Sequence, residues 1–169
     1  MPRDRLMQRL EALGVLIDMQ WGSYAHYESV SGKLWSSKGL SETVASTIGM
    51  KQGCLLSPTL FGLYIDEVSQ YIERFGGSRA HLAGIAIQIL LYADDIVLIS
   101  DSPEGLQRHL NSLKLFCTDK GLSISMNKTK VMVFNTTQAW VIRSEPEFFL
   151  GEEKVEYTRS YTSCMVSDK

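Results

Sequence analysis

The acidic tetrapeptide at residues 92–95, Tyr-Ala-Asp-Asp, limits what this chain can fold into more than any other feature. The apolar run before it covers residues 85–91, and the run after it covers residues 96–99. Short apolar runs rich in β-branched residues predict two buried strands, with the acidic pair at the tip of a hairpin. Adjacent carboxylates at the end of a rigid sheet repel each other, and burial disfavours their charged form. A divalent cation would remove that cost, and hard oxygen ligands suit Mg²⁺ or Mn²⁺.

The same tetrapeptide also suits an ordinary solvated turn. Asp is a favoured turn residue because its side chain bonds to nearby backbone groups. Both interpretations fit these four residues taken alone, so the rest of the chain has to decide between them.

Composition excludes several classes of protein. With 169 residues, 44% of them hydrophobic, the chain suits one domain with its own core. It contains neither an apolar run of membrane-spanning length nor a secretory signal, so we expect an intracellular protein without a membrane anchor. A net charge of −2 argues against a stand-alone nucleic-acid binder. The cysteines and histidines are isolated and show no metal-ligand spacing: Cys54, Cys117, Cys164, His26, His81 and His109.

The first part of the chain predicts one helix followed by short strands. Leucines recur at helical spacing over residues 3–13, and Gly14 suits the end of that helix. Residues 21–48 are polar, with strands predicted around 29–35 and 43–48 and a turn at Gly39.

Two cap signatures predict two longer helices. Ser57 suits an N-cap and Pro58 the first helical position, and this helix should stop at residues 76–77, both glycine. Its apolar face contains Phe61, Tyr64, Ile65, Val68 and Ile72. Ser102 and Pro103 repeat the signature before a helix that ends at Gly121, with Leu106, Leu110, Leu113 and Cys117 on one face.

The last part predicts a strand and a hairpin. Residues 131–134 are apolar and follow Lys128 and Lys130, which could simply be solvated charges beside that strand. A hairpin is expected around Gly151, between residues 148–150 and 155–157.

The order of these features resembles the palm domain of reverse transcriptases, and most closely the type encoded by non-LTR (LINE-like) retrotransposons. The matching segments are residues 49–61, 91–95 and 127–134. This resemblance implies an α+β fold: an incomplete palm-like antiparallel sheet with helices packed on one face. It also implies a partial palm at residues 1–135 and a remnant of a primer-grip hairpin with a divergent tail at 136–169.

The resemblance implies a catalytic role for the acidic hairpin. Asp94 and Asp95 would hold Mg²⁺ or Mn²⁺, with two ions in the parent enzyme, and Tyr92 would lie near the primer end. Paired ions stabilise the attacking 3′-oxygen and the leaving pyrophosphate in such phosphoryl transfers.

Three further residues would contact the nucleotide and the template. By the same resemblance, Gln52 and Gly53 line the pocket for the incoming nucleotide and template, and Lys128 approaches the triphosphate as a charge or proton donor. The implied partners of the parent enzyme are an RNA template, a DNA primer and dNTPs.

The sequence departs from the family pattern at both ends. Reverse transcriptases carry another metal-binding aspartate on a strand just upstream of the segment that resembles residues 2–6, and neither Asp4 nor Asp18 replaces it. The Tyr-Leu-Gly pattern of the primer-grip hairpin is also absent after residue 157. Losing a metal ligand costs on the order of a hundredfold to a thousandfold in rate. We therefore expect residues 1–169 to be inactive when alone, with the missing N-terminal part of the same reading frame as a partner.

Two other functions stay open at this point. An inactive relic that serves as a binding or scaffold module would also fit the acidic pI of about 5.9. A phosphoacceptor signalling domain also uses an acidic pair, but it places that pair between a parallel strand and a helix. Here the apolar run 96–99 follows at once.

Overall fold

The described residues form helices, which build the main core, and pairs of short strands. The computed structural model describes residues 1–28, 30–37, 39–46, 48–51, 53–75, 78–134 and 146–158. Its helices are α1 (Arg3–Ala12), α2 (Ile17–Glu28), α3 (Ser57–Ile65), α4 (Val68–Arg74) and α5 (Pro103–Lys120). Its strands are β1 (Val30–Gly32), β2 (Trp35–Ser36), β3 (Gly39–Leu40), β4 (Val44–Ser46), β5 (Ala80–Leu82), β6 (Ile85–Ile87), β7 (Ile89–Tyr92), β8 (Asp95–Leu98), β9 (Lys130–Val131), β10 (Phe149–Leu150), β11 (Glu153–Lys154) and β12 (Glu156–Tyr157). The predicted α+β class is confirmed.

The strands pair in twos within the described part of the chain. Antiparallel ladders join β1 with β4, β2 with β3, β5 with β6, β7 with β8 and β10 with β11, whereas β9 and β12 are parallel. The arrangement of these ladders as one palm-like sheet stays a prediction. None of the described helices is long and apolar enough to cross a membrane.

Four helices and Tyr27 of α2 form the main core. It contains Leu6, Leu10, Tyr27, Leu60, Tyr64, Ile65, Val68, Ile72, Leu113, Phe116 and Cys117. The Phe116 ring is fully buried and meets the Tyr71 ring edge-on at 5.2 Å between centroids. A second cluster packs β9, β10 and the residues around them on α5, through Leu110, Val131, Phe148, Leu150 and Val155. Helix α5 therefore supports both clusters.

Helix α1 matches its prediction, and helix α2 was missed. Residues 17–28 are helical, although residues 21–28 were predicted only as polar chain, because this segment has no clear apolar stripe and packs against α1. The strands predicted around 29–35 and 43–48 are present as the β1–β4 ladder. Gly39 lies in β3 with φ +105° rather than in the turn.

The predicted helix after residue 57 is two helices, α3 and α4, separated by residues 66–67. The expectation that Ser57 caps this helix is wrong, because Leu56 occupies the N-cap position. The Ser57 hydroxyl instead donates to the Lys51 carbonyl oxygen at 2.8 Å and bonds to the Tyr27 hydroxyl at 2.7 Å. The predicted stop at 76–77 lies outside the described residues.

Helix α5 has the caps that its sequence predicts. The Ser102 hydroxyl accepts a hydrogen bond from the Gly105 N–H at 3.2 Å, and Gly121 ends the helix with φ +65°. This confirms the Ser-Pro start and the glycine stop.

The predicted strand 131–134 is wrong in its bounds. Strand β9 covers Lys130–Val131, and the side chains of Val133 and Phe134 are 50% and 84% exposed. The hairpin around Gly151 is confirmed, but its second strand is Glu153–Lys154. Residues 156–157, which were predicted in the second strand of this hairpin, instead form β12 and pair with β9.

Candidate active site

The acidic pair lies at the tip of the hairpin formed by β7 and β8, as predicted. Tyr92 and Asp95 are opposite each other in the ladder, so Ala93 and Asp94 form a two-residue turn. Ala93 has φ +50°, a conformation that a residue with a Cβ seldom adopts. Both aspartates are exposed.

The prediction that the flanking strands are buried is wrong. The run 85–91 is interrupted by a bend at Gln88, which separates β6 from β7. Alternation places Leu90 and Val97 together on the outer face of the ribbon, where their side chains are 51% and 48% exposed. On the other face, Ile89 and Leu98 pack against the helical core. In the described part of the chain, helices cover one face of this ribbon, so the apolar runs are half-buried at most.

The donor chemistry of the acidic pair fits a divalent cation. Mg²⁺ is usually bound by one or two carboxylates together with substrate phosphates and water, and Asp94 with Asp95 supply two such carboxylates. Because both are exposed, solvent already stabilises their charges, and the fold does not require a cation. No group of three or more His, Cys, Asp or Glu side chains suited to a metal occurs among the described residues.

The hairpin tip borders an open cleft beside helix α3. This cleft has a volume of about 390 Å³ and is lined by Pro58, Gly62, Ile65, Asp66, Leu91, Tyr92 and Ala93. Tyr92 is 76% exposed, so its ring is accessible from solvent at the edge of the cleft. The structure thus brings the acidic hairpin next to the helix that follows the Gly-Gln loop.

The Gly-Gln loop, residues 49–56, is fastened to the N-terminus of the chain. The Gly49 N–H donates to the Met1 carbonyl oxygen at 2.9 Å, and Arg3 Nε donates to the Gly49 carbonyl oxygen at 3.2 Å. Gly53 is exposed with φ +77°, and a side chain there would meet open space. Gln52 lies outside the described residues. The loop is therefore held in place at Gly49, while the predicted roles of Gln52 and Gly53 stay predictions.

Lys128 lies in a turn rather than on a strand. Its N–H donates to the Ser125 carbonyl oxygen at 3.1 Å, and its side chain is exposed. Among the described ion pairs, none joins Lys128 to either aspartate of the hairpin. Its neighbour Lys130 pairs with Glu156 at 2.5 Å, and this contact lowers the pKa of the Glu156 carboxyl. The role of Lys128 at the site stays a prediction.

Sequence reasoning missed the residues that join the loop to the helices. Arg3 Nη1 donates to the Tyr27 carbonyl oxygen at 2.7 Å, and its guanidinium carbon lies 5.9 Å from the centre of the Tyr27 ring. The Tyr27 hydroxyl in turn bonds to Ser57, and burial raises the pKa of Tyr27. These partners are 24 to 46 residues apart in sequence, so no local pattern identifies them.

Comparison with known proteins identifies the class of this chain. The family described as reverse transcriptase (RNA-dependent DNA polymerase) matches residues 1–158, and the chain belongs to that family. A stretch of 81 residues, 47% of the chain, is 35% identical to the Retrovirus-related Pol polyprotein from type-1 retrotransposable element R2 of Nasonia vitripennis. Another of 130 residues, 75% of the chain, is 29% identical to the corresponding polyprotein from type-2 retrotransposable element R2DM of Drosophila melanogaster.

These matches confirm the predicted resemblance to reverse transcriptases of non-LTR retrotransposons. They cover 8% of the Nasonia polyprotein and 12% of the Drosophila one, so the chain spans about a tenth of the length of these relatives.

Proposed function

We propose that this chain supplies the catalytic palm of an RNA-directed DNA polymerase of a non-LTR retrotransposon. The observation that carries the proposal is the exposed Asp94–Asp95 pair at the tip of the β7–β8 hairpin, beside an open cleft, in a chain of the reverse transcriptase family. A rigid hairpin that presents two carboxylates to solvent can receive a cation together with a phosphate-bearing substrate.

The side chains of the hairpin have separate tasks in this proposal. Asp94 and Asp95 would hold Mg²⁺ or Mn²⁺, and such an ion would supply positive charge that stabilises the transferred phosphate. Tyr92, at the rim of the cleft, contacts the end of the primer. Because the ladder fixes Tyr92 opposite Asp95, the primer contact and one metal ligand keep a constant spacing.

The remaining predicted residues contact the nucleotide and the template. Gly53 has no side chain and borders open space, which leaves its backbone accessible to the incoming nucleotide or the template base. Gln52, the residue before Gly53, lines the same pocket for the incoming nucleotide and template. Lys128 provides a positive charge for the triphosphate. In the parent enzyme the partners are an RNA template, a DNA primer and dNTPs.

The complete site includes a third carboxylate from the parent enzyme. In this proposal residues 1–169 contribute Asp94 and Asp95 as two of its ligands. We therefore propose that residues 1–169 alone extend primers on the order of a hundredfold to a thousandfold more slowly than the parent enzyme. The proposed division keeps residues 1–135 as palm and 136–169 as the remnant of the primer-grip hairpin and tail.

Primer extension by the parent enzyme tests this function. Asp94→Asn should reduce extension of a DNA primer on an RNA template by about a hundredfold or more, since it removes a metal-holding charge. Asp101→Asn is the matched control, because Asp101 is an exposed aspartate just beyond the same hairpin. We expect it to keep the activity within about twofold.

A second measurement separates the enzyme from a non-catalytic binding module. Mn²⁺ binding to the 169-residue chain should weaken in Asp94→Asn and persist in Asp101→Asn. If Asp94→Asn leaves both primer extension and Mn²⁺ binding unchanged, the catalytic proposal is wrong and the binding-module alternative stands.

A further inference from the structure

We propose that the β-hairpin of residues 30–46, here called the arm, binds single-stranded nucleic acid by stacking a base on Trp35. This inference rests on the proposed function, which gives the protein a template strand to hold. It assigns a contact surface to a part of the chain that lies outside the acidic hairpin and the Gly-Gln loop.

The arm is one continuous hairpin built from two nested ladders. β1 pairs with β4 at its base, and β2 pairs with β3 nearer its tip. Between the ladders, the Ser41 N–H donates to the Leu34 carbonyl oxygen at 2.8 Å and the Leu34 N–H donates to the Ser41 hydroxyl at 2.9 Å. These bonds bridge the two ladders, whose registers differ by one residue.

The arm projects apolar side chains into solvent. Apart from the half-buried Val30, every described residue of the arm is exposed. The Trp35 side chain is 82% exposed, and its cross-strand partner Leu40 is 59% exposed. Exposing a side chain as large as Trp gives up one of the largest contributions to core burial. Since neither residue belongs to a core cluster, the pair is available to a ligand.

The charge of the arm favours a phosphate-bearing partner. The arm contains Lys33, Lys38 and one acidic residue, Glu42, so its formal charge is +1 within a chain of net charge −2. Ser31, Ser37 and Thr43 add hydroxyl donors on or beside the strands. An exposed aromatic ring with lysines and hydroxyl residues close to it in sequence has the composition of surfaces that bind single strands, where bases stack and phosphates meet cations. The central part of a surface that binds another protein would be richer in apolar residues and poorer in lysine.

The base of the arm leads into the Gly-Gln loop. Arg3 Nη2 lies 3.5 Å from the Ser46 hydroxyl at the end of β4, and Arg3 Nε donates to the Gly49 carbonyl oxygen at 3.2 Å. One guanidinium therefore fastens both the arm and the loop that is predicted to contact the template. A nucleic-acid strand stacked on Trp35 would therefore lie on the segment that leads directly into that loop.

Binding of a labelled single-stranded RNA to the 169-residue chain, followed by fluorescence anisotropy, tests the proposal. Trp35→Ala should weaken binding by about fivefold to a hundredfold, which is the range for losing one base–aromatic stack. Trp35→Phe should keep most of the affinity, because a smaller ring still stacks. Phe134→Ala is the matched control: Phe134 is an aromatic residue outside the arm with a comparable exposure of 84%, and its loss should change binding by less than about twofold.

Salt dependence gives an independent measurement. Lys33→Ala should reduce the slope of log affinity against log salt concentration by about 0.7, which corresponds to one phosphate contact on a single strand. Circular dichroism of each variant confirms that the fold is retained.

The outcomes separate this inference from the proposed function. If Trp35→Ala binds RNA as tightly as Phe134→Ala does, the arm is not the binding surface, and the catalytic proposal still depends on the Asp94→Asn result alone. If the unaltered chain binds neither single-stranded RNA nor single-stranded DNA, the inference is also wrong, and a protein partner becomes the better candidate for the arm.

Discussion

Glu67 connects three helices, and its replacement by glutamine should measurably destabilise the fold. Arg9 Nη1 from α1 and Lys120 Nζ from the end of α5 both donate to the Glu67 carboxylate. Glu67 is the N-cap residue of α4, so its negative charge also lies at the positive end of that helix. The side chains of Arg9, Glu67 and Lys120 are 13%, 24% and 20% exposed.

The magnitude follows from this partial burial. An exposed ion pair contributes about 0.2–1 kcal/mol, whereas removing one partner of a fully buried pair costs about 3–5 kcal/mol. Glu67→Gln leaves the Lys120 ammonium, one-fifth exposed, without a carboxylate among the described ion pairs. Arg9 keeps only the more distant Asp66 carboxylate, 3.7 Å away. Arg9 keeps its bond to the Leu63 carbonyl oxygen at 3.2 Å, which limits the loss. We expect the free energy of unfolding to fall by about 2–3 kcal/mol, between the two limits.

Urea unfolding of the two matched variants tests this reasoning. Glu73→Gln removes an ion pair to Arg79 with N···O 3.5 Å, whose side chains are 56% and 51% exposed. This variant should lose less than about 0.5 kcal/mol, because solvent screens such pairs. If Glu67→Gln is no less stable than Glu73→Gln, the three-helix ion pair does not stabilise the fold, and the argument from burial is wrong.

Three further predictions concern helix α5 and its surroundings. His109 is fully buried, and this burial, together with the nearby charge of Arg108, lowers the pKa of its ring from 6.5. The folded state therefore favours the neutral ring. The stability that this gives is complete above pH 6.5 and is lost as the pH falls below that value. His109→Leu should flatten the pH dependence of urea unfolding below pH 6.5, and an unchanged slope would show that another group titrates. Ser102→Ala removes the N-cap hydrogen bond from Gly105 and should lower the free energy of unfolding by about 1 kcal/mol. Ser102→Thr keeps a capping hydroxyl and should leave the free energy of unfolding unchanged. Burial raises the pKa of the Cys117 thiol to about 11, so mass spectrometry should find Cys117 unmodified by iodoacetamide at pH 8 and modified only after unfolding.

Local signals predicted those features whose physics is local. The hairpin at residues 92–95 is confirmed because a turn-forming acidic pair between two short apolar runs can be recognised within about a dozen residues. Helix α5 is confirmed with both caps, since Ser102, Pro103 and Gly121 act on the backbone within one turn of themselves. The family was predictable for a related reason: the matching segments are themselves local motifs in a fixed order.

Features that depend on distant contacts were not predictable. Helix α2 has no clear apolar stripe, and Tyr27 at its end is buried by contacts with Arg3 and Ser57. Ser57 was expected to cap a helix, but its hydroxyl bonds to Tyr27 and Lys51 instead. The burial of β7 and β8 was overestimated, because apolar composition alone does not tell how many faces of a ribbon are covered.

The sequence by itself determined the chemistry of this protein: an aspartate pair at the tip of a hairpin, a helix that starts at Pro103, and the motif order of a reverse transcriptase. Tertiary structure decided where that chemistry lies, because burial and long-range hydrogen bonds form only when segments far apart in the chain meet. It placed Tyr92 on a cleft beside α3, left Asp94 and Asp95 in solvent, and left Lys128 without an ion pair to them among the described residues. It also left Trp35 exposed on the arm. No local pattern predicts this, because the exposure of a ring depends on whether distant parts of the chain pack over it.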